Sequence, residues 1–200
     1  VTAVVGYRVA DWDTPFWISP NRSPTRWGIP GAIVQYWSLH PLAPWAEYFR
    51  GMNVRTADEA AEIILRPWAA ELELPDDIVD LRFDTAGRLG LAPEALVDDD
   101  WVPCQAWVAS TRPSALLVPS AALPGTTNVV LYGPRVRSRY GVPPIDPRAD
   151  VPCDAVAERA VVLDDLLRHI RWRGDVHTGL EAWRNGESPP LPPVVRTLAL

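Results

Sequence analysis

Within Thr25–Arg50, TRWGIPGAIVQYWSLHPLAPWAEYFR, three side chains of different chemistry follow one another: Arg26, Tyr36 ten positions on, and Glu47 eleven further. Arg26 and Glu47 stand among Trp27, Trp37, Trp45 and Phe49. An ionised group in aromatic surroundings must be paired or must await a charged ligand, because burying it alone is expensive. A guanidinium that can fork onto phosphate, an aromatic hydroxyl and one carboxylate together suit a site that handles a nucleotide. Each residue also has a plainer reading. Glu47 can pair with Arg50 or another arginine of its own helix, Arg26 can stack on Trp27, and Tyr36 can be a core strand tyrosine.

The elements that must position them follow from periodicity. Val1–Val9 is β-branched and apolar and reads as a strand carrying Arg8 near its end. Asp11–Pro24 is a loop in which Trp12 and Trp17 sit between prolines and cover part of the molecule. Ala32–Ser38 reads as a second strand, entered through Gly28, Pro30 and Gly31. Pro41–Phe49 reads as a helix with Pro41 in its first turn, Leu42, Trp45, Ala46 and Phe49 on one face, and Glu47 on the neighbouring flank. Thr56 with Glu59 three residues later starts a helix over Thr56–Leu65.

Further on, Trp68–Leu74 alternates as a strand does, and Asp76–Leu81 extends or neighbours it. Gly87–Asp100 is expected to be a loop with one short helix, and its Asp98–Asp100 run a solvated turn. Pro103–Ser110 reads as a helix; Ser114–Ser120 and Asn128–Tyr132 read as strands linked through Pro124–Gly125. Arg135–Pro152 is loop-like. Asp154–Arg173 repeats Val156, Ala160, Leu163, Leu167 and Ile170 at helical spacing, with Asp154 to cap it and Gly174 beyond its end. The order fits one compact α+β domain, a mixed sheet with flanking helices and a C-terminal helical extension.

The bulk numbers restrict the function. The 200 residues carry a net charge of −6, which disfavours direct binding to nucleic acid or an anionic membrane. All 19 cationic residues are arginine. A Schiff-base or P-loop lysine is therefore excluded, and any anion site must be built from arginine and backbone N–H groups. Cys104 and Cys153 match no metal-ligand spacing and read as two reduced thiols. His40, His169 and His177 have no HExxH or HxH spacing, so no metal site is expected. There is no GxGxxG after a strand, no GxxxxGK[ST] and no GxSxG elbow. No apolar run is long enough to span a membrane, and VTAVVGYRVADWD lacks the basic and apolar regions of a signal peptide. The expectation is a soluble cytoplasmic protein.

Read together with VPSA (Val118–Ala121) and NVVL (Asn128–Leu131), the Arg–Tyr–Glu ladder resembles the RES domain family. Tyr7–Arg8, Arg26–Trp27, Gly31, Ile33–Tyr36, the Ala43, Ala46 and Glu47 helix, Gln105, Ser120 and Asn128 follow the family pattern in order, over about Val5 to Val136. Gly28 departs from it, since the family commonly carries Asn after the Arg-aromatic pair; Pro44 inside the helix before Glu47 is a second departure.

The resemblance implies a fold like that of the ADP-ribosyltransferase toxins and chemistry on NAD+ as substrate, with no cofactor required. It implies a catalytic unit over 1–136, with 137–200 a Pro-rich connection and helical extension packed on the same domain. Glu47 would stabilise positive charge developing on the ribose, as carboxylates do in glycoside cleavage. Arg8 and Arg26 would grip the pyrophosphate, Tyr36 would stack on or bond the nicotinamide ribose, and Ser120, Asn128 and Gln105 would line the polar wall. Hydrolysis or phosphorolysis of NAD+ and ADP-ribosylation of a protein both occur in the family, beside the alternative of a non-catalytic nucleotide-binding domain. An Xre-type antitoxin is the partner the resemblance implies. The Asp154–Arg173 helix is open to closing the domain, pairing two chains as a homodimer or receiving that antitoxin.

Overall fold

The computed structural model describes residues 2–10, 20–133 and 165–192. Trp12, Trp17, the Arg135–Pro152 segment, Cys153 and the Asp154 cap lie outside the described residues. The architecture is α+β: a six-stranded mixed sheet with helices packed on it. The strands are β1 (Thr2–Ala10), β2 (Val34–Ser38), β3 (Arg66–Leu74), β4 (Val79–Asp80), β5 (Ala115–Pro119) and β6 (Thr127–Tyr132). They lie in the order β3-β1-β2-β6-β5-β4. All neighbours are antiparallel except β4 and β5, which run parallel.

Period-2 alternation gives the sheet two apolar faces. Val34 and Tyr36 of β2, Leu116 and Val118 of β5, and Val130 and Tyr132 of β6 pack with Trp27, Leu96 and Cys104 on one face. Trp37, Leu72, Leu74, Ala115, Val129 and Leu131 pack on the other. Helix α1 (Ala43–Met52) carries Glu47 and buries Ala43, Ala46, Phe49 and Arg50. Pro44 falls in its first turn, where a missing N–H leaves no helical bond unmade, so this departure from the family pattern does not break the helix. Helix α2 (Ala57–Ala61) is shorter than the sequence suggested, but its start is the expected capping box. Thr56 accepts from the Glu59 N–H, and the Glu59 carboxylate accepts from the Thr56 N–H. A short helix α3 (Phe83–Ala86) precedes α4 (Val102–Thr111), which brings Gln105 to the first face.

Two expectations are corrected. Asp76–Leu81 neither extends nor neighbours β3, because β4 pairs with β5 at the opposite edge of the sheet. Pro75 accepts from the Ile78 N–H to close a turn, and the Leu81 N–H is taken by Leu117 O at 2.8 Å. The C-terminal helix does not continue to Arg173: residues 165–169 are helical and Ile170 is not. The Arg171 N–H bonds Ala122 O at 2.9 Å instead of a carbonyl four residues back, which takes the chain out of the helix. Leu166 and Ile170 pack with Phe49 and Leu123, and Leu180, from helix α5 (Thr178–Arg184), joins the cluster under Trp27. Among the described residues no helix is long and apolar enough to cross a membrane.

Candidate active site

Glu47 reaches from α1 to the ends of β5 and β6. Ser120 Oγ donates to Glu47 Oε1 at 2.7 Å, and Asn128 Nδ2 donates to the same oxygen at 3.0 Å. Strand pairing makes this meeting possible. Asn128 lies opposite Ser38 on β2 and Val118 on β5, and Ser120 follows two residues after Val118 on the same face. Ser120 Oγ also accepts the N–H groups of Ala122 (3.3 Å) and Leu123 (3.0 Å). A hydroxyl has one proton and two lone pairs. With both lone pairs engaged, the Ser120 proton is committed to Glu47, and the residue is a fixed donor rather than a free nucleophile. Both donors use Oε1; Oε2 takes part in neither bond.

Arg26 is presented by the Thr25–Gly28 turn, which is closed by reciprocal backbone bonds of 2.8 and 3.3 Å. Three side chains hold the turn. Tyr36 Oη lies 2.5 Å from Thr25 Oγ1, Gln105 Nε2 donates to Thr25 O at 2.8 Å, and Tyr132 Oη donates to Trp27 O at 2.7 Å. The turn also explains Gly28. A Cβ there would lie 2.5 Å from Asn21 Nδ2 and 2.8 Å from Thr25 Oγ1, so a larger residue would displace both. Arg26 is 8% exposed. Its Nη1 donates to Ala95 O at 3.0 Å, a carbonyl that also accepts the Cys104 thiol at 3.1 Å. Arg26 Nη2 and Asn128 Oδ1 are buried without a hydrogen-bond partner. Burial lowers the pKa of Arg26, with the neighbouring Cys104 side chain and Glu47 acting against it. Burial also pushes Tyr36 up to about 12 and the Cys104 thiol up to about 11, so both stay protonated at neutral pH.

A further ring of charge was not singled out in the sequence. Arg50, which the plainer reading offered as a partner for Glu47, pairs its Nη2 with Asp99 Oδ1. Arg171 Nη1 donates to the same oxygen at 3.1 Å and to Val97 O at 2.9 Å, while the Gly174 N–H donates to Asp99 Oδ2 at 2.7 Å. Asp99 is thus the joint of an ion-pair network, not a solvated turn residue. Burial pushes its carboxyl up, but the Gly174 N–H and the Arg171 and Arg50 guanidiniums outweigh that and hold it below the usual range. Arg26, Arg50 and Arg171 are each nine-tenths buried or more; among the described residues Arg26 is coupled to Glu47, Arg50 to Glu47 and Asp99, and Arg171 is paired with Asp99. Like Arg26 Nη2, Arg50 Nε is buried without a hydrogen-bond partner. Arg50 lay within sight on the helix of Glu47. Asp99 and Arg171 are 72 residues apart, and no local pattern marks them.

The structure brings Glu47, Ser120, Asn128 and Arg26 together; Tyr36 and Gln105 stand one step back, holding the turn. Arg8 is not among them. Tyr7 pairs with Ser38, and alternation sends Arg8 to the opposite face together with Gly6. Its guanidinium lies over the Trp37 ring, 5.9 Å from the centroid, and burial lowers its pKa. Arg8 therefore stands apart from the Glu47 cluster, with its Nη1 buried and without a hydrogen-bond partner. Among the described residues no cluster of three or more His, Cys, Asp or Glu could hold a metal ion.

The fold is similar to that in the crystal structure of the M. tuberculosis MbcT-MbcA toxin-antitoxin complex. The TM-score is 0.60 at 21% identity, over 80% of this chain and 90% of that chain. No curated protein matches the chain. The RES domain model matches residues 6–154, a span that holds Arg8, Arg26, Tyr36, Glu47, Gln105, Ser120 and Asn128. With the greater part of its length inside that match, the chain belongs to the RES domain family.

Proposed function

We propose that the protein is the toxin of a toxin–antitoxin pair and cleaves the nicotinamide–ribose bond of NAD+. The observation that carries the reading is the Glu47 carboxylate, held on Oε1 by Ser120 and Asn128 and coupled to a buried Arg26 whose Nη2 has no partner. In this reading the bond from the ribose C1′ to nicotinamide breaks with its electron pair going to the ring nitrogen. Nicotinamide leaves neutral, so no strong general acid is needed. The ribose becomes oxocarbenium-like and is stabilised by Glu47, whose Oε2 faces the ring or its hydroxyls. An oxygen of water or phosphate then forms the new bond to C1′ and gives up its proton. Because the positive charge exists only near the transition state, the carboxylate acts there more strongly than on bound NAD+. Arg26 supplies forked donors for the pyrophosphate, with two further buried arginines, Arg50 and Arg171, nearby.

Family membership and the fold shared with a protein solved in a toxin–antitoxin complex support an antitoxin as partner; in this reading it is of the Xre type and covers this site. NAD+ is the substrate and no cofactor is invoked. The test is nicotinamide release from NAD+, followed chromatographically. Replacing Glu47 by Gln keeps the shape and both donors' acceptor, and is expected to reduce release by about 100-fold or more without lowering the melting temperature. Full turnover in that variant would refute the mechanism. Label transfer from NAD+ to a protein, with little free ADP-ribose, would instead identify protein ADP-ribosylation.

A further inference from the structure

Ser120 lies in the 120–126 turn, and the C-terminal segment 165–192, beyond the residues matched by the family model, wraps that turn. The Arg171 N–H bonds Ala122 O at 2.9 Å. Gly179 fits so closely that an added Cβ would lie 3.0 Å from His177 Cε1 and 3.1 Å from Gly125 N, and Pro189 crowds Gly125 from the other side. His177 is 5% exposed, with its ring edge-on to Phe83 at 6.0 Å. Its Nδ1 accepts the Leu180 N–H at 3.0 Å, capping α5, and its Nε2 lies 3.0 Å from Ser120 O. A carbonyl can only accept, so Nε2 carries the proton and the tautomer is fixed by both partners. Burial also pushes the pKa of His177 down to about 4, which keeps the ring neutral at physiological pH.

We propose that His177 is a positioning residue for the site: its Nε2–H anchors the Ser120 carbonyl and so aims the Ser120 hydroxyl at Glu47. The role in turnover rests on the function proposed above. Ser120 is otherwise held by its own N–H to Thr126 O at 3.0 Å and by the two N–H groups on its Oγ. The carbonyl bond ties Ser120 itself to the segment beyond the family match, as the Arg171 N–H ties Ala122. Loss of that bond lets the peptide plane after Ser120 rotate, and the hydroxyl then leaves Glu47 Oε1.

Two substitutions separate the capping role from the anchoring one. His177→Asn keeps an acceptor near the Nδ1 position but cannot reach Ser120 O. His177→Gln places an N–H near the Nε2 position. His177→Asn is expected to keep the native melting temperature within a few degrees, lower kcat for nicotinamide release about tenfold and leave KM within twofold. His177→Gln is expected to recover kcat to within about threefold of the native value. Amide hydrogen exchange at Ala122 and Leu123, whose N–H groups rest on Ser120 Oγ, reads the same geometry without turnover. Their protection is expected to fall at least tenfold in His177→Asn and to return in His177→Gln. Native kcat and native protection in His177→Asn would overturn the proposal, as would equal losses in both variants tracking a lower melting temperature. If the native protein releases no nicotinamide, the function fails, and the exchange data alone still decide the role of His177.

Discussion

At the scale of single residues, the site is organised around one carboxylate oxygen. Glu47 Oε1 accepts from Ser120 and from Asn128, and hydrogen bonds to an ionised acceptor are among the stronger ones in a protein. Asn128 must therefore present its amide nitrogen, and its Oδ1 is left buried and unpartnered. Replacing Asn128 by Asp keeps the volume and inverts the interaction. The new carboxylate cannot donate to Glu47 Oε1, and two carboxylates about 3 Å apart repel. The expected result is a fall of about 100-fold in nicotinamide release, in the range for loss of one preorganised electrostatic contact. Native turnover in this variant would show that the Asn128 amide does not hold the Glu47 carboxylate.

At the scale of elements, what matters is how a short turn holds a buried arginine. The Thr25–Gly28 turn is clamped by Tyr36 from β2, Gln105 from α4 and Tyr132 from β6. Tyr132→Phe removes a single oxygen and leaves Trp27 O without its donor. The expected loss of stability is about 1–2 kcal/mol. In the proposed function Arg26 binds the substrate, so KM for NAD+ should rise about fivefold while kcat stays within threefold; an unchanged KM in a stable variant would remove Tyr132 from the clamp. Period and capping made most of these elements legible in the sequence. β2, α1, α4, β5 and β6 were readable from alternation or helical spacing, and the Thr56–Glu59 capping box from four residues. The order of Arg26, Tyr36, Glu47, Ser120 and Asn128 was readable through the family pattern. The supporting roles of Tyr36 and Gln105 were not, since a hydroxyl or an amide gives no sign of whether it faces a ligand or a neighbouring turn. The strand of Arg8 was readable but its face was not, since the face depends on the register with β2, fixed by the Tyr7–Ser38 pairing. β4 was misplaced because its partner strand lies far along the chain, outside any local pattern.

At the scale of the molecule, Asp99 joins three distant parts of the chain. It binds Arg50 from the end of α1, Arg171 from the C-terminal segment and the Gly174 backbone at a glycine with φ +86°. Arg50 and Arg171 are both buried, so their charges depend on this carboxylate. Asp99→Asn leaves the volume unchanged and the two guanidiniums uncompensated. Breaking a buried pair typically costs about 3–5 kcal/mol; Asp99 is 33% exposed, so about 2–3 kcal/mol is expected here. That corresponds to a fall of about 5–10 °C in melting temperature for a chain of this size. The pH dependence follows from the direction of the shift. The Asp99 carboxyl titrates lower in the folded protein than in the unfolded chain, so its contribution is complete above about pH 4 and disappears as pH falls through the folded value. Denaturant unfolding from pH 7 to pH 2 should therefore show the stability gap between native and Asp99→Asn narrowing below pH 4. A gap that stays constant down to pH 2 would mean that the ionised carboxylate does not join the segments.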